Sequence, residues 1–223
     1  MSMEVVTDDC ATVAQDIQFA IAAQTQQAAL WHIREPESID VDEALSGKEL
    51  LRNLVLVNHL MNFRLWHVED IARLKDVDAS IIADCKYRID DLNQRRTDAF
   101  EAVDAHLLRR LKNFLPVPPP VLSEGRRVRH NTESLGMAID RLSILALKIF
   151  HMEEQGRRED VSQEHRLRCR EKLAVLNEQR VDLALAVDDL VEDFRVGIKC
   201  PKAYYQFKMY NDPSLNPELY GKQ

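Results

Sequence analysis

Apolar side chains recur every three to four residues over five long stretches of this chain, and that period predicts five helices. Val13, Ile17, Ala20, Ile21 and Ala28 form the stripe of a first helix from about Asp8 to Trp31. A polar loop, Glu35 to Leu45, follows. Ser46 with Glu49 three residues on has the form of a capping box, so a second helix runs from Ser46 to about Leu74. Asp76 or Asp78 caps a third helix that reaches about Phe114. The run Leu-Pro-Val-Pro-Pro-Pro-Val at Leu115–Val121 cannot continue a helix and favours an extended linker. A fourth helix is expected from Asn131 or Thr132 to Gly156, and a fifth from Ser162 to Gly197. The tail from Cys200 to Gln223 carries turn signals, Asn-Asp-Pro and Asn-Pro, and five rings: Tyr204, Tyr205, Phe207, Tyr210 and Tyr220. It reads as a strap whose rings pack into a groove of the bundle, or alternatively as a lid over a site.

The stretches repeat. Trp66–Asp104 laid on Phe150–Asp188 without a gap gives 13 identities in 39 positions. His67 falls on His151, Glu69 on Glu153, Arg73 on Arg157, Cys85 on Cys169, Asn93 on Asn177 and Arg96 on Arg180, a constant offset of 84 residues. Most matches are polar, so a shared apolar period does not account for them, and repeats of this kind mark a duplicated supersecondary unit. The predicted architecture is all-α: an internally duplicated helical-hairpin bundle of four long helices, plus an N-terminal helix and an extended C-terminal tail. One domain, 1–223, would comprise the N-terminal helix (4–33), a first hairpin (46–114), a proline-rich linker (115–130), a second hairpin (131–199) and the aromatic tail (200–223).

The second and fourth helices are apolar on two faces. Leu54, Asn58, Met61, Leu65 and Val68 oppose Leu56, Leu60, Phe63, His67 and Leu74; Leu142, Leu145, Ile149 and Met152 oppose Ile144, Leu147 and His151. A helix apolar on two sides is buried on two sides. These helices are therefore central, or their second faces meet the first helix, the tail, a second copy or a protein partner.

Composition narrows the class. With 45% hydrophobic and 30% charged residues the chain has a globular profile. A net charge of −7 and no Lys/Arg block argue against nucleic acid. The start lacks the features of a secretory signal, and the apolar run Leu54–Trp66 is too short and too polar to span a bilayer. Cys10, Cys85, Cys169 and Cys200 have no framework spacing, so reduced thiols in a cytoplasmic protein are expected.

Two constellations could carry chemistry. Arg96 and Arg180 interrupt apolar stripes at equivalent places, with Asn93 and Asn177 one turn away. A guanidinium inside a bundle needs an acceptor. Folding each hairpin about its turn puts Arg180 level with Asp140, its natural partner, which could also reach Arg96 if the hairpins face each other. The group is either a register-fixing ion-pair network or a two-arginine pocket for a phosphate or carboxylate. The second constellation is His67 with Asp70 and, repeated, His151 with Glu154. Residues three apart share a helix face, a spacing that suits a metal ion. Cys85 and Cys169 at the same level make a two-histidine, two-cysteine zinc site conceivable. The alternative is core histidines and ion pairs at the hairpin ends. There is no glycine-rich phosphate loop, nucleophile elbow or Cys-x-x-Cys, so apart from that metal no cofactor is implied.

Four segments resemble an uncharacterised bacterial family, domain of unknown function 4254. They are Asn62–Arg73 (NFRLWHVEDIAR), Ile89–Asp98 (IDDLNQRRTD), Asp140–Leu145 (DRLSIL) and Lys208–Pro213 (KMYNDP). Where the family pattern tends to Arg-Asn-Asp this chain has Arg96-Thr97-Asp98, so no role transfers to residue 97. The resemblance implies no reaction, but it does imply an association with bacterial surface-polysaccharide glycosyltransferases and hence an accessory protein. Two functional classes follow: a non-catalytic binding or adaptor protein, or an enzyme or ligand-binding protein with an anion or metal site at the pseudo-twofold axis.

Overall fold

A computed structural model of the chain describes residues 9–42, 44–112, 115, 129–209 and 212–220. Five long helices account for most of them: α1 Cys10–Ile33, α2 Gly47–Ala72, α3 Ala79–Leu111, α4 Leu135–Arg157 and α5 Gln163–Arg195, followed by a single turn, α6 Pro217–Tyr220. There are no strands among the described residues. α3 and α5 have 33 residues each, about 50 Å at ~1.5 Å per residue. No helix among the described residues is long and apolar enough to cross a membrane.

Side chains that satisfy the free N–H groups of a first turn set the starts. Asp9 accepts from Thr12 N–H, Ser46 from Glu49 N–H, Ser134 from Met137 N–H and Ser162 from His165 N–H. The fourth helix begins at Leu135, not at Asn131 or Thr132. The preceding residues are engaged elsewhere: Arg129 accepts from Cys200 N–H at 2.8 Å and donates to Ile198 at 3.3 Å. That bridge ties the entry of α4 to the exit of α5. The predicted linker lies, apart from residue 115 and residues 129 and 130, outside the described residues.

α2 packs along α3 and α4 along α5, giving two hairpins. Positions 84 apart meet where they face each other. His59 on α2 lies 2.8 Å from Ser143 on α4, and the rings of His67 and His151 are 5.8 Å apart. The pseudo-twofold axis therefore passes between α2 and α4. α1 breaks the symmetry. α3 packs directly on α4, whereas the equivalent space between α5 and α2 is taken by α1, which contacts both and α4 as well.

Two apolar cores result. One joins Val13 and Ile17 to Leu51, Leu107, Ile139 and Val191; the other joins Trp31 to Leu60, Phe63, Leu92 and Leu147. Between them runs a buried polar belt of Gln24, Asn58, His59, Asn62, Asp140 and Ser143. The second faces of α2 and α4 are consumed inside the chain. Leu56, Leu60, Phe63 and Leu147 are buried, and of that set Leu74 is exposed. This removes them as the docking surface expected from sequence, because α1 already covers the axis. The exposed apolar side chains on α5 are Leu167, Val175, Val181 and Leu185.

Candidate functional site

The belt is organised around one carboxylate. Asp140, on the first half of α4, accepts at Oδ1 from Asn58 Nδ2, Asn62 Nδ2 and Arg96 Nε, each at 2.8 Å. Arg96 Nη2 closes the second, parallel bond to Oδ2, so the pair is bidentate, the strong geometry for guanidinium and carboxylate. Bonding to Asp140 holds the Arg96 pKa above its usual value against the opposing effect of burial. Asn62 Nδ2 also donates to Ser143 Oγ at 3.0 Å. That hydroxyl sits on His59 Nδ1. Burial, with the nearby charge of Arg180, pushes the His59 pKa down to about 3, so the ring is neutral.

Arg96 forms the floor of an open cleft on the far side of the bundle from α1. One part, about 520 Å³, is lined by Asn93, Thr97, Glu133, Asp140, Arg141, Ile144, Gln206 and Lys208, among others. A second part, about 320 Å³, shares Asn93, Arg96 and Ile144 and adds Asn62, Trp66, Glu69, Asp70 and Arg73. Its guanidinium groups are matched within the cleft. Arg96 pairs with Asp140, Arg141 with Glu133, and Arg73 with Glu69. The lining is thus polar but close to charge-balanced.

The tail closes one side. Tyr204 donates its hydroxyl to Asn131 O at 2.8 Å, Gln206 N–H to Glu101 at 3.1 Å, and Lys208 Nζ to Asn93 O at 2.6 Å. Partial burial, reinforced by Arg96, holds the Lys208 pKa below normal. Among the described rings of the tail, Tyr204 is half-buried and anchors it through its hydroxyl. Tyr205 and Phe207 are exposed, and Tyr210 and the Tyr220 side chain lie outside the described residues. Phe207 has a φ of 37°, a left-handed conformation uncommon for a bulky side chain, and its neighbours Gln206 and Lys208 both line the cleft.

Of the arginine constellation, Arg96, Asp140 and Asn93 come together. Arg180 and Asn177 do not join them. Arg180 turns towards α1 and donates to Ile21 O at 2.8 Å and Leu142 O at 3.1 Å, and burial lowers its pKa. Asp140 is therefore the partner of Arg96 and not of Arg180. The reason is the direct α3–α4 packing that α5 and α2 lack. Asn177 is exposed on α5.

Of the histidine constellation, His67 and His151 meet, joined by His32 from the last turn of α1. Glu154 instead accepts from His151 Nδ1 at 2.9 Å, and Asp70 lies on the cleft side of α2; neither belongs to the three-histidine group. The cysteines are apart from it too, since Cys169 Sγ meets His165 Nε2 at 3.4 Å. Sequence reasoning missed Asn62, His59 and Ser143 in the belt and His32 in the cluster. Asn58 and Asn62, four apart in an apolar stripe, were a usable signal; His32 had none, because only tertiary packing brings it to α2 and α4.

No curated protein and no solved structure matches this chain. The four segments that carry the resemblance, from α2, α3, α4 and the tail, all contribute residues to the cleft around Arg96. A family described as protein of unknown function (DUF4254) matches residues 52–203, well over half of the chain, from the second turn of α2 to just beyond α5, and the chain belongs to that family.

Proposed function

We propose that this protein is a non-catalytic binding protein whose ligand is a small, hydroxyl-rich polar molecule seated in the cleft between α2, α3, α4 and the tail strap. The observation that carries this reading is the convergence of four distant segments on one cleft whose floor is a fixed Arg96–Asp140 pair. Planar amides (Asn62, Asn93, Gln206), carboxylates and a tryptophan edge are the groups that hydrogen-bond and cover a neutral polyol or sugar. The internal pairing of Arg73, Arg96 and Arg141 favours a neutral ligand over a free phosphate or carboxylate. A sugar ligand also accords with the accessory role in surface-polysaccharide glycosyl transfer that the resemblance implies. A protein partner is the second reading; it is favoured by the exposed apolar side chains Leu167, Val175, Val181 and Leu185 on α5.

Thermal unfolding of the full chain against neutral sugars, sugar phosphates and dicarboxylates tests the first reading. A ligand at ~100 times its Kd stabilises by about 2.7 kcal/mol, roughly 5–10 °C for a chain of this size. The expected outcome is such a shift from a neutral sugar, lost in Asn93→Ala. Shifts confined to anions would restore an anion site, and a shift that survives Asn93→Ala would place the ligand elsewhere.

A further inference from the structure

Independently of the cleft, we infer that His32, His67 and His151 form a binding site for a divalent transition-metal ion, zinc being the best match, at the end of the pseudo-twofold axis. One nitrogen from each ring lies within 4.8 Å of the other two, and no other such group occurs among the described residues. The three rings come from α1, α2 and α4, so the site exists only in the folded chain.

The hydrogen bonds already present prepare two of the rings as ligands. His32 Nδ1 is 2.6 Å from Ala28 O. A carbonyl can only accept, so Nδ1 carries the proton and Nε2 presents a lone pair. His151 Nδ1 faces Glu154 Oε2 at 2.9 Å, which fixes the same tautomer. Both Nε2 atoms are buried with no hydrogen-bond partner. Two inward lone pairs without a donor are costly to bury, and a cation is the species that satisfies both at once. A ring nitrogen held by a carbonyl or carboxylate, with the opposite nitrogen free, is the arrangement that orients histidine ligands in metal sites.

Packing holds the planes in place. His151 lies flat on Trp66 with centroids 4.6 Å apart, and His32 on Phe150 at 4.0 Å. Phe63 meets His32 edgewise at 4.8 Å and His67 at a 47° tilt at 4.5 Å. Burial lowers the pKa of both His67 and His151 from the ordinary histidine value. Zinc–nitrogen bonds of about 2.0–2.1 Å require donors roughly 3.3 Å apart in a tetrahedron. The rings must therefore close by an ångström or so on binding. His67 has room to do this, because it lines an outer cleft of about 480 Å³ with Glu35 and Arg64. That cleft is also the entry path. Glu154 on His151, with Asp70 near His67, supplies negative charge for a dication, while Glu35 is already paired with Arg64 at 2.6 Å. Three imidazoles leave a fourth position open, and the absence of thiolate from the donor set favours zinc, cobalt, nickel or copper over softer ions.

The test uses the full chain without an affinity tag, stripped with chelator and titrated with cobalt(II), then zinc(II). One cobalt per chain is expected, with the strong visible bands of tetrahedral coordination and without the near-ultraviolet bands of cobalt–thiolate bonds. Zinc should displace it and raise Tm. His67→Gln, at a partly exposed position, should abolish the visible bands, and Glu154→Gln should weaken binding roughly 10-fold. In the unmutated chain, zinc should shift the imidazole nitrogen resonances of three histidines together. The inference is overturned by sub-stoichiometric binding, by thiolate bands, by affinity unchanged in His67→Gln, or by nitrogen shifts at other histidines.

Discussion

Single buried ionisable side chains set the pH response of this protein. Asp104 accepts from Gly136 N–H at 2.7 Å, yet desolvation outweighs that bond and raises its pKa from 3.8 to about 6. The folded chain therefore keeps a proton that the unfolded chain has released, and stability falls as pH rises from about 4 to 6. His59 acts in the opposite sense. Its folded pKa of about 3 lies below the ordinary 6.5, so stability falls as pH drops through that interval. Asp104→Asn removes only the first contribution. Urea unfolding should show the variant gaining on the parent by about 2–3 kcal/mol between pH 4 and pH 7, at ~1.4 kcal/mol per unit of pKa shift, with no further gain above pH 7. A difference independent of pH would mean that Asp104 is ionised in the folded chain. None of this was visible in the sequence, where Asp104 appeared only as a repeated position opposite Asp188.

α4 approaches α3 closely at Gly136. A β-carbon on Gly136 would stand 2.2 Å from Phe100 O and 2.9 Å from the Asp104 carboxyl carbon. The obstacle is backbone, which cannot swing aside as a side chain can. Gly136→Ala should cost about 3 kcal/mol through forced separation of the two helices, read as a fall in Tm of roughly 6–12 °C. An unchanged Tm would show that the approach is soft. Capping serines were legible because the bond is local: Ser46 and Ser162 stand where the pattern placed them. The start of α4 was not, because the residues before it answer to Ile198 and Cys200 on the other side of the chain. The strap was anticipated, but by its rings; its anchors are the Tyr204 hydroxyl, Gln206 N–H and Lys208 Nζ.

For the molecule as a whole, duplication followed by divergence explains why two equivalent arginines behave differently. Asp140 stands in the second repeat where the first has Leu56. Only Arg96 therefore has a carboxylate across the axis, and Arg180 makes do with two carbonyls and the space that α1 occupies. Removing one partner of a buried pair leaves an uncompensated charge, at a cost of about 3–5 kcal/mol. Arg96→Met should fall in that range. Arg180→Met strands no carboxylate and should cost about 1 kcal/mol or less, or be neutral. Denaturant midpoints of the two variants compare them directly, and equal losses would refute the asymmetry. The two-arginine pocket was a fair inference from the repeat, but an arginine's partner depends on how the hairpins face each other, and α1 decides that.

The pattern along the chain determined five helices, the caps at Ser46 and Ser162 and the hairpin pairing, because each rests on contacts within a few residues or on a visible period; Asp78 precedes α3 without a side-chain cap bond, and the Ser134 cap of α4 was not legible. The offset of 84 residues determined which positions would be equivalent. Tertiary structure decided the rest. It seated α1 between α5 and α2, which made Asp140 the partner of Arg96 and sent Arg180 to backbone carbonyls. It also brought His32 to His67 and His151, a meeting of three helices that no spacing along one of them encodes.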